Sequence, residues 1–429
     1  MIGMAQTWLL LRRLRAHVRA RPETLAALRD DLLRRAVAHA AAHVPFYRRF
    51  WAERGFRPAG FRGLLDLERI PIVNSATIRS AAQAGELLVD GCRPAACTYL
   101  DSSGSSGNPT RIWKGPREER VRRAVGLRIW FEHGFRWRDV TAQFQILPGP
   151  GLLLQKLGIS RKIWISTAAP LAVQRTQFLS VAADIVVGTP TALRALCHSL
   201  RETGAKPARP RVVFAAGELL DAATRRLVSA TLGVLPVAIY GQTEVGYLAW
   251  QCECREAFHL NADTHLVETR NQHGPAAPGE LGRLVVTDLR CRTMPFLRYD
   301  TGDLAVAARG ACPCGRTLPT LASVEGRAGG AFTLASGAII TPRRLVDTLA
   351  TAVAPEGYRI EQRAPGEFRL VFSAQVGEPQ RAAAVATLRE LLGEVRLETA
   401  TVASWPADGT GKTHAVSSVV PLALVGAAP

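Results

Sequence analysis

The sequence predicts an α/β fold: a large N-terminal domain of mixed sheets and helices, then a small α+β domain. Three observations carry this reading. Short apolar runs alternate with amphipathic segments from residue 142 to residue 240, the pattern of strands separated by helices. Strand-like segments become denser beyond Gly282, at 283–288 and 304–308. At Glu325-Gly-Arg-Ala-Gly-Gly330 the character changes again, and about a hundred residues follow, enough for a domain. A glycine cluster tolerates a hinge, so the boundary is placed at 326–330. The domains are then 1–326, with 1–60 a helical lead-in, and 327–429.

Each element has a local reason. Residues 5–53 read as two helices, with Leu and Ala at helical spacing and arginines opposite. Pro22 followed by Glu23 suits the first turn of the second. Pro45, in Val44-Pro-Phe-Tyr-Arg48, interrupts the period. Ile70-Pro-Ile-Val-Asn-Ser75 leads into a short helix capped by Asn74 or Ser75. Strand-like pieces at 95–100 and 111–113 flank a Ser/Gly stretch, and 118–133 reads as a long helix. Strands follow at 142–147, 161–166, 184–187, 211–215 and 236–240. Helices fall at 189–200, opened by Thr189 and Pro190, and at 222–232. The C-terminal part reads as helix 342–353, strands 358–363 and 368–373, helix 380–392 and strand 395–402.

The chain has 429 residues, 47% hydrophobic and 21% charged, an ordinary balance for a soluble globular protein of two or three domains. The net charge of +18 comes mostly from arginines spread without a dense block. Neither a helix-turn-helix pattern nor an aromatic RNA-binding motif accompanies them, so nucleic acid is not expected as a partner. The charge still favours approach of an anionic substrate. No run of about twenty apolar residues and no secretory signal is evident, so no membrane span is expected and the cytoplasm is the expected compartment. Eight cysteines in a chain this long do not make a disulfide scaffold.

Several polar turns carry candidate chemistry. Ser102, Ser103, Gly104, Ser105, Ser106 and Gly107 offer hydroxyls and unhindered backbone N–H groups, which suit phosphate oxygens; the bland alternative is a flexible linker. Tyr240-Gly241-Gln-Thr243-Glu244 follows a predicted strand, where α/β folds place ligands. There Tyr240 suits stacking on a base, Thr243 a phosphate, and Glu244 a magnesium ion bridging phosphates. Ala215-Ala-Gly-Glu218 repeats the strand-then-acid pattern, the alternative being Glu218 as cap of the next helix. Asp303, in Arg298-Tyr-Asp-Thr-Gly-Asp303, can accept two hydrogen bonds from a ribose diol. Gly409-Thr-Gly-Lys412-Thr413 fails as a Walker loop because Pro406 stands where a glycine is needed. Lys412 is nevertheless one of few lysines, on a glycine-rich turn, where a positive charge can stabilise a transferring group.

Cys252-Glu-Cys254 with His259, and Cys312-Pro-Cys314, form two clusters of soft ligands. In a cytosolic chain this favours a structural zinc ion over disulfides, with Cys254 a substitute for Cys252. Cys92, Cys97, Cys197 and Cys291 read as inert packing residues.

Taken together, these motifs resemble the adenylate-forming superfamily, most closely its phenylacetate–CoA ligase-like, zinc-containing branch. The Ser/Gly stretch through Asn-Pro-Thr110, Ala216-Gly-Glu218, Tyr240 to Glu244, Tyr299-Asp-Thr-Gly-Asp303, Gly326-Arg327 and Gly411-Lys412 follow in the family's order. Val44 to Arg48 and Ile70-Pro-Ile resemble that branch's N-terminal region. The resemblance implies two steps: a carboxylate attacks the α-phosphate of ATP to give an acyl-adenylate, then a thiol, usually coenzyme A, displaces AMP. It implies that residues 102–107 hold the β- and γ-phosphates and that Glu218 and Tyr240 border adenine. Thr243 would contact the α-phosphate, Glu244 would bind Mg2+, and Asp303 would hold the ribose. Arg327 would lie beside the nucleotide, and Lys412 would bridge carboxylate and α-phosphate. Cys252, His259, Cys312 and Cys314 match the branch's zinc set. The small domain would rotate between steps. Two departures stand out: Ala328-Gly-Gly330 replaces the usual acidic residues after Gly-Arg, and Asn108 replaces a lysine.

The expected partner is a small carboxylic acid. Trp130, Phe131, Tyr247 and Trp250 fit an aryl acid or, equally, a protein core. Transfer to a carrier-protein thiol or an amine, and a non-catalytic scaffold, are the alternatives. The sequence leaves the oligomeric state open, a dimer included.

Overall fold

The computed structural model describes residues 2–101, 110–146, 155, 158–255, 257–405 and 415–422. Residues 102–107, Asn108 and Lys412, singled out above, lie outside that set. The chain forms two compact units, one of residues 1–127, 242–248 and 259–429, the other of 128–241 and 249–258.

The first unit begins with three helices rather than the two expected: Ile2–His17, Pro22–His43 and Pro45–Glu53. Pro45 does break the period, but it also occupies the first turn of a new helix, where a missing N–H costs nothing. The second helix buries Leu25, Leu32, Leu33, Ala36, Val37 and Ala40, one stripe at heptad spacing. The third buries Phe46, Tyr47, Phe50 and Trp51, with Phe46 and Phe50 stacked at 5.1 Å between centroids. Helix Ser75–Gln83 is capped by Asn74, whose Oδ1 accepts from Thr77 N at 2.8 Å.

Strands Thr98–Asp101 and Arg111–Lys114 pair antiparallel on either side of the Ser/Gly stretch. An antiparallel sheet takes the strands in the order Gly274–Pro275, His265–Asn271, Leu281–Asp288, Tyr299–Ala307, Thr320–Arg327. Residues 68–73 are tied to the start of its fourth strand. Val73 N donates to Arg298 O at 3.0 Å, and Asp300 N donates to Val73 O at 2.8 Å. Arg298 has a positive φ of 44°, a strained value for a non-glycine residue. Its buried guanidinium holds the strain in place, donating to Glu268 at 3.0 and 2.7 Å, to Glu68 O at 3.1 Å and to Ile70 O at 2.6 Å.

The C-terminal part of this unit has an apolar core of its own. A four-stranded sheet, ordered Arg396–Val402, Glu367–Ser373, Tyr358–Ala364, Val416–Ser418, packs with helices Pro342–Leu349 and Glu378–Leu392. Phe332, Leu345, Leu349, Phe368, Leu370, Phe372 and Leu388 are among the residues of that core. It joins the preceding strand through polar contacts: Thr341 Oγ1 donates to Glu325 at 2.6 Å and Arg343 Nε to Val324 O at 2.7 Å.

The second unit is a parallel sheet with strands ordered Arg161–Ser166, Val140–Gln145, Ile185–Gly188, Val212–Ala216, Val237–Gln242. In chain order this is 2-1-3-4-5, a doubly-wound arrangement that reverses beside its first strand. Helix Pro190–Glu202 is opened as expected, Thr189 Oγ1 accepting from Ala192 N at 3.2 Å. Helix Ala222–Leu232 is capped by Asp221, which accepts from Thr224 N at 2.8 Å. The reading of Glu218 as that cap is therefore corrected: Asp221 is one residue before the helix, in capping position. Helix Leu171–Leu179 was not expected from the sequence; it buries only Gln174 and Phe178. Among the described residues, no helix is long and apolar enough to cross a membrane.

Candidate active site

Two neighbouring parallel strands, Val212–Ala216 and Val237–Gln242, bring their carboxyl ends together. Ala216-Gly217-Glu218 leaves one and Tyr240-Gly241 ends the other. Parallel strands gather such turns at one edge, which is where ligands of doubly-wound sheets bind. Gly217 has φ of +88°, a conformation that other residues rarely adopt. Half-buried Glu218 accepts from Thr191 N at 3.0 Å, in the first turn of helix Pro190–Glu202. The carboxylate thus takes the N–H of Thr191 at a helix N-terminus, a position that favours its charge.

The remaining candidates gather in the first unit. After strand Val237–Gln242 the chain turns through Thr243, Glu244 and Val245 into strand Gly246–Gln251. This turn is held by a residue that sequence reading passed over. Lys114 is buried, only 6% exposed, and its Nζ donates to Glu244 O at 2.6 Å. A buried ammonium needs such a partner. The scarcity of lysine that drew attention to Lys412 marks Lys114 equally.

Asp303 is 7% exposed and stands directly across the strand pair from Arg327. Its Oδ1 accepts from Arg327 Nη1 at 3.1 Å, and its Oδ2 from Gln242 Nε2 at 2.7 Å. Arg327 Nη1 also reaches Thr301 O at 3.0 Å. Gly302, with φ of +73°, makes the tight turn before Asp303, and a Cβ there would sit 3.6 Å from the guanidinium. Asp300 steadies the same turn, accepting from Gly302 N at 2.9 Å and from Arg283 at 2.9 and 2.7 Å. Burial pushes the Tyr299 phenol above its ordinary range, and the negative charge of Glu244 pushes it the same way. The Glu244 carboxylate therefore lies within electrostatic reach of the strand that carries Asp303.

Cys252, His259, Cys312 and Cys314 each offer one ligand atom, all within 4.8 Å of one another. Cys314 Sγ and His259 Nε2 are 3.3 Å apart. Cys312-Pro-Cys-Gly315 turns tightly, with φ of +76° at Gly315. Three of the four residues are buried, and Cys254 is not of the group. Among the other cysteines, Cys197 and Cys291 are buried and their thiols are pushed up to about 12 by desolvation. Cys92 and Cys97 are only half-buried, with Sγ atoms 4.0 Å apart, so packing does not describe them. Trp250 is fully buried and lies edge-on to His133 at 5.5 Å, a core residue. Trp130 stacks on Phe214 at 5.9 Å and keeps part of its surface open.

The fold and the polar turns define the class, an adenylate-forming ligase. A solved structure of 2-hydroxyisobutyryl-CoA ligase in the postadenylation state, with R3-HIB-AMP, superposes with a TM-score of 0.75 at 21% identity, over 94% of this chain and 91% of that one. The anthranilate CoA ligase AuaEII, in complex with anthranoyl-AMP, gives 0.55 at 14% identity, covering 74% and 65%. No protein-family model matches the chain. Among curated proteins, the phenylacetate–coenzyme A ligase of Thermus thermophilus is 31% identical over 319 residues, 71% of each chain. That of Escherichia coli is 26% identical over 332 residues, again 71% of each. The chain belongs to the phenylacetate–coenzyme A ligase family. It is accordingly an acid–thiol ligase of the AMP-forming type.

Proposed function

We propose that this chain activates a small carboxylic acid as its acyl-adenylate and passes the acyl group to coenzyme A. The single observation that supports the site assignment is the Asp303 carboxylate, pinned by Gln242 and Arg327 beside the turn that carries Thr243 and Glu244. A fixed, buried carboxylate next to a polar strand end suits a nucleotide sugar.

In this reading Asp303 holds the ribose hydroxyls, and Tyr240, Gly241 and Glu218 border the base. Thr243 donates to the α-phosphate. Glu244 would carry the magnesium ion, which when bound neutralises phosphate charge. Ser102 to Gly107 hold the outer phosphates. Lys412 places its charge between the acid and the α-phosphate, where negative charge builds during attack. Arg327 meets the nucleotide from the segment that begins the small domain. That domain is taken as 327–429 against 1–326, turning between the two steps. Phenylacetate is the first acid to try, because the relatives that share this family carry that name.

Cys252, His259, Cys312 and Cys314 would hold a zinc ion. Three thiols and one imidazole are a donor set that zinc favours. Ligands at about 2.0–2.3 Å from one ion lie within about 4 Å of each other, so a 4.8 Å spread needs only slight closure. Its part would be structural, clamping two turns together.

The test is pyrophosphate release from ATP over a panel of carboxylic acids, followed by chromatography for the CoA thioester. Acid-dependent release with AMP and thioester as products is expected, and Lys412→Ala should abolish release. Release without a thioester would redirect the acyl group to another acceptor. No release with any acid, or full activity in Lys412→Ala, would sink the proposal.

A further inference from the structure

Cys92 and Cys97 place their sulfurs 4.0 Å apart, both half-buried. Cys197 and Cys291, by contrast, are shut off from solvent. Local turns bring the pair together. Gly91 has a φ of +70°. Cys92 N donates to Val89 O at 3.0 Å, Ala96 N to Arg93 O at 2.9 Å and Cys97 N to Pro94 O at 2.9 Å. A disulfide needs about 2.05 Å between its sulfurs, so closure asks for about 2 Å of approach. A bond here would ring off only the short stretch 92–97 and constrain little of the unfolded chain. Its use would lie in what it joins rather than in stapling the fold.

The two cysteines stand on different supports. The Cys92 side is held to the body of its unit. Val89 N donates to Thr293 O at 2.9 Å, Asp90 N to His43 O at 2.7 Å, and the Asp90 carboxylate accepts from Arg48 at 2.8 Å. Cys97 instead precedes strand Thr98–Asp101, which is exposed along its length and forms a two-stranded sheet with Arg111–Lys114. Such a sheet is marginally stable by itself. Thr98 stands across from Lys114, and its Oγ1 donates to Lys114 O at 3.3 Å. Lys114 in turn holds Glu244 O. A pull on Cys97 is thus passed through one cross-strand pair to the turn that carries Glu244.

We infer that Cys92 and Cys97 form a redox clasp, closed to a disulfide by a hydroperoxide and reopened by a thiol, and that closing it slows the reaction by shifting Lys114. The slowing rests on the proposed ligase reaction; the clasp itself does not. The order of attack follows from the surroundings. Desolvation, and next the adjacent Cys92, push the Cys97 thiol up to about 11, so Cys97 keeps its proton at neutral pH. Cys92 attacks first: its sulfur takes one peroxide oxygen, the O–O bond breaks, and water or an alcohol leaves. The Cys97 sulfur then displaces the oxygen of the Cys92 sulfenic acid, which departs as water with the Cys97 proton. Each sulfur loses one electron and the peroxide gains both.

The test treats the full chain with hydrogen peroxide, blocks remaining thiols with iodoacetamide and maps the digest by mass spectrometry. Cys92 and Cys97 are expected to escape alkylation together and to regain it after dithiothreitol. Pyrophosphate release should fall by at least about 3-fold on oxidation, as a small misplacement near the chemistry would cause, and return with reductant. Cys92→Ser and Cys97→Ser should keep the reduced rate within about twofold and lose the response. Alkylation of both thiols after peroxide overturns the inference. An unchanged rate in the cross-linked protein, or an equal loss in the two serine variants, overturns it too. If the reduced wild type releases no pyrophosphate with any acid, the ligase reading fails separately, and hydrogen exchange over 98–101 decides the clasp. Slower exchange in the oxidised protein then supports it, and unchanged exchange overturns it.

Discussion

Replacing Arg298 with methionine should be among the most damaging single changes in the chain. The side chain is 3% exposed and donates four hydrogen bonds, two to Glu268 and one each to the carbonyls of Glu68 and Ile70. Methionine fills much of the space and bears the same positive φ, so backbone strain cancels in the comparison. What remains is the loss of the donors. Among the described residues Glu268 then keeps only Arg270, at 3.2 Å, as a cationic partner, and two backbone carbonyls lose the Arg298 donor. Removing one member of a buried ion pair costs about 3–5 kcal/mol. At roughly 2–4 °C per kcal/mol for 150–250 residues, and less for a larger unit, melting should fall by about 5–10 °C. Scanning calorimetry measures it. The double variant Arg298→Met with Glu268→Met removes the stranded charge and should recover more than half of the loss. A fall below 2 °C, or a double variant worse than the single, would refute the reasoning.

Other expectations follow from the same geometry. Cys314→Ser should lower zinc in the purified protein from about one ion per chain to a small fraction, read by elemental analysis; a wild type free of zinc would exclude the site. Lys114→Met releases the turn at Glu244 and should cut kcat/KM for pyrophosphate release by about 10–100-fold, with melting measured alongside. Gly326→Ala meets a φ of +96° and a Cβ 2.9 Å from Pro342, and should cost on the order of 1–3 kcal/mol in denaturant unfolding. His265 is fully buried, and desolvation lowers its pKa below the unfolded 6.5. The unfolded chain therefore binds a proton that the folded chain refuses. The stabilising contribution is complete above pH 6.5 and is lost as pH falls below it, by at most about 1.4 kcal/mol per pH unit. His265→Gln should flatten that part of the stability curve.

The α/β plan was legible because its signals are local. Thr189-Pro190 and Asn74 open helices through their own side chains, and buried parallel strands read as short apolar runs. Helix Leu171–Leu179 left little trace, since it hides only two residues and has no side-chain cap. Strand His265–Asn271 escaped notice because five of its seven residues are only half-buried and several are polar. At the site, the residue types were readable but the partnerships were not. Asp303 meets Arg327 through a cross-strand register, and Gln242 reaches it over 61 positions of chain. Lys114 reaches Glu244 over 130. Such pairings depend on register and tertiary approach, which no local pattern encodes.

Tyr47 OH donates to Pro295 O at 3.1 Å and accepts from Leu297 N at 2.8 Å, while Val73 exchanges hydrogen bonds with residues 298 and 300. The third helix and the segment ending at Val73 are therefore stitched to the residues that launch the Asp303 strand. Anyone recombining this chain with a relative should treat residues 45–73 and 295–300 as one cassette. A crossover that takes only one half would unpick those seams, and its failure would say nothing about the acid the hybrid was built to accept.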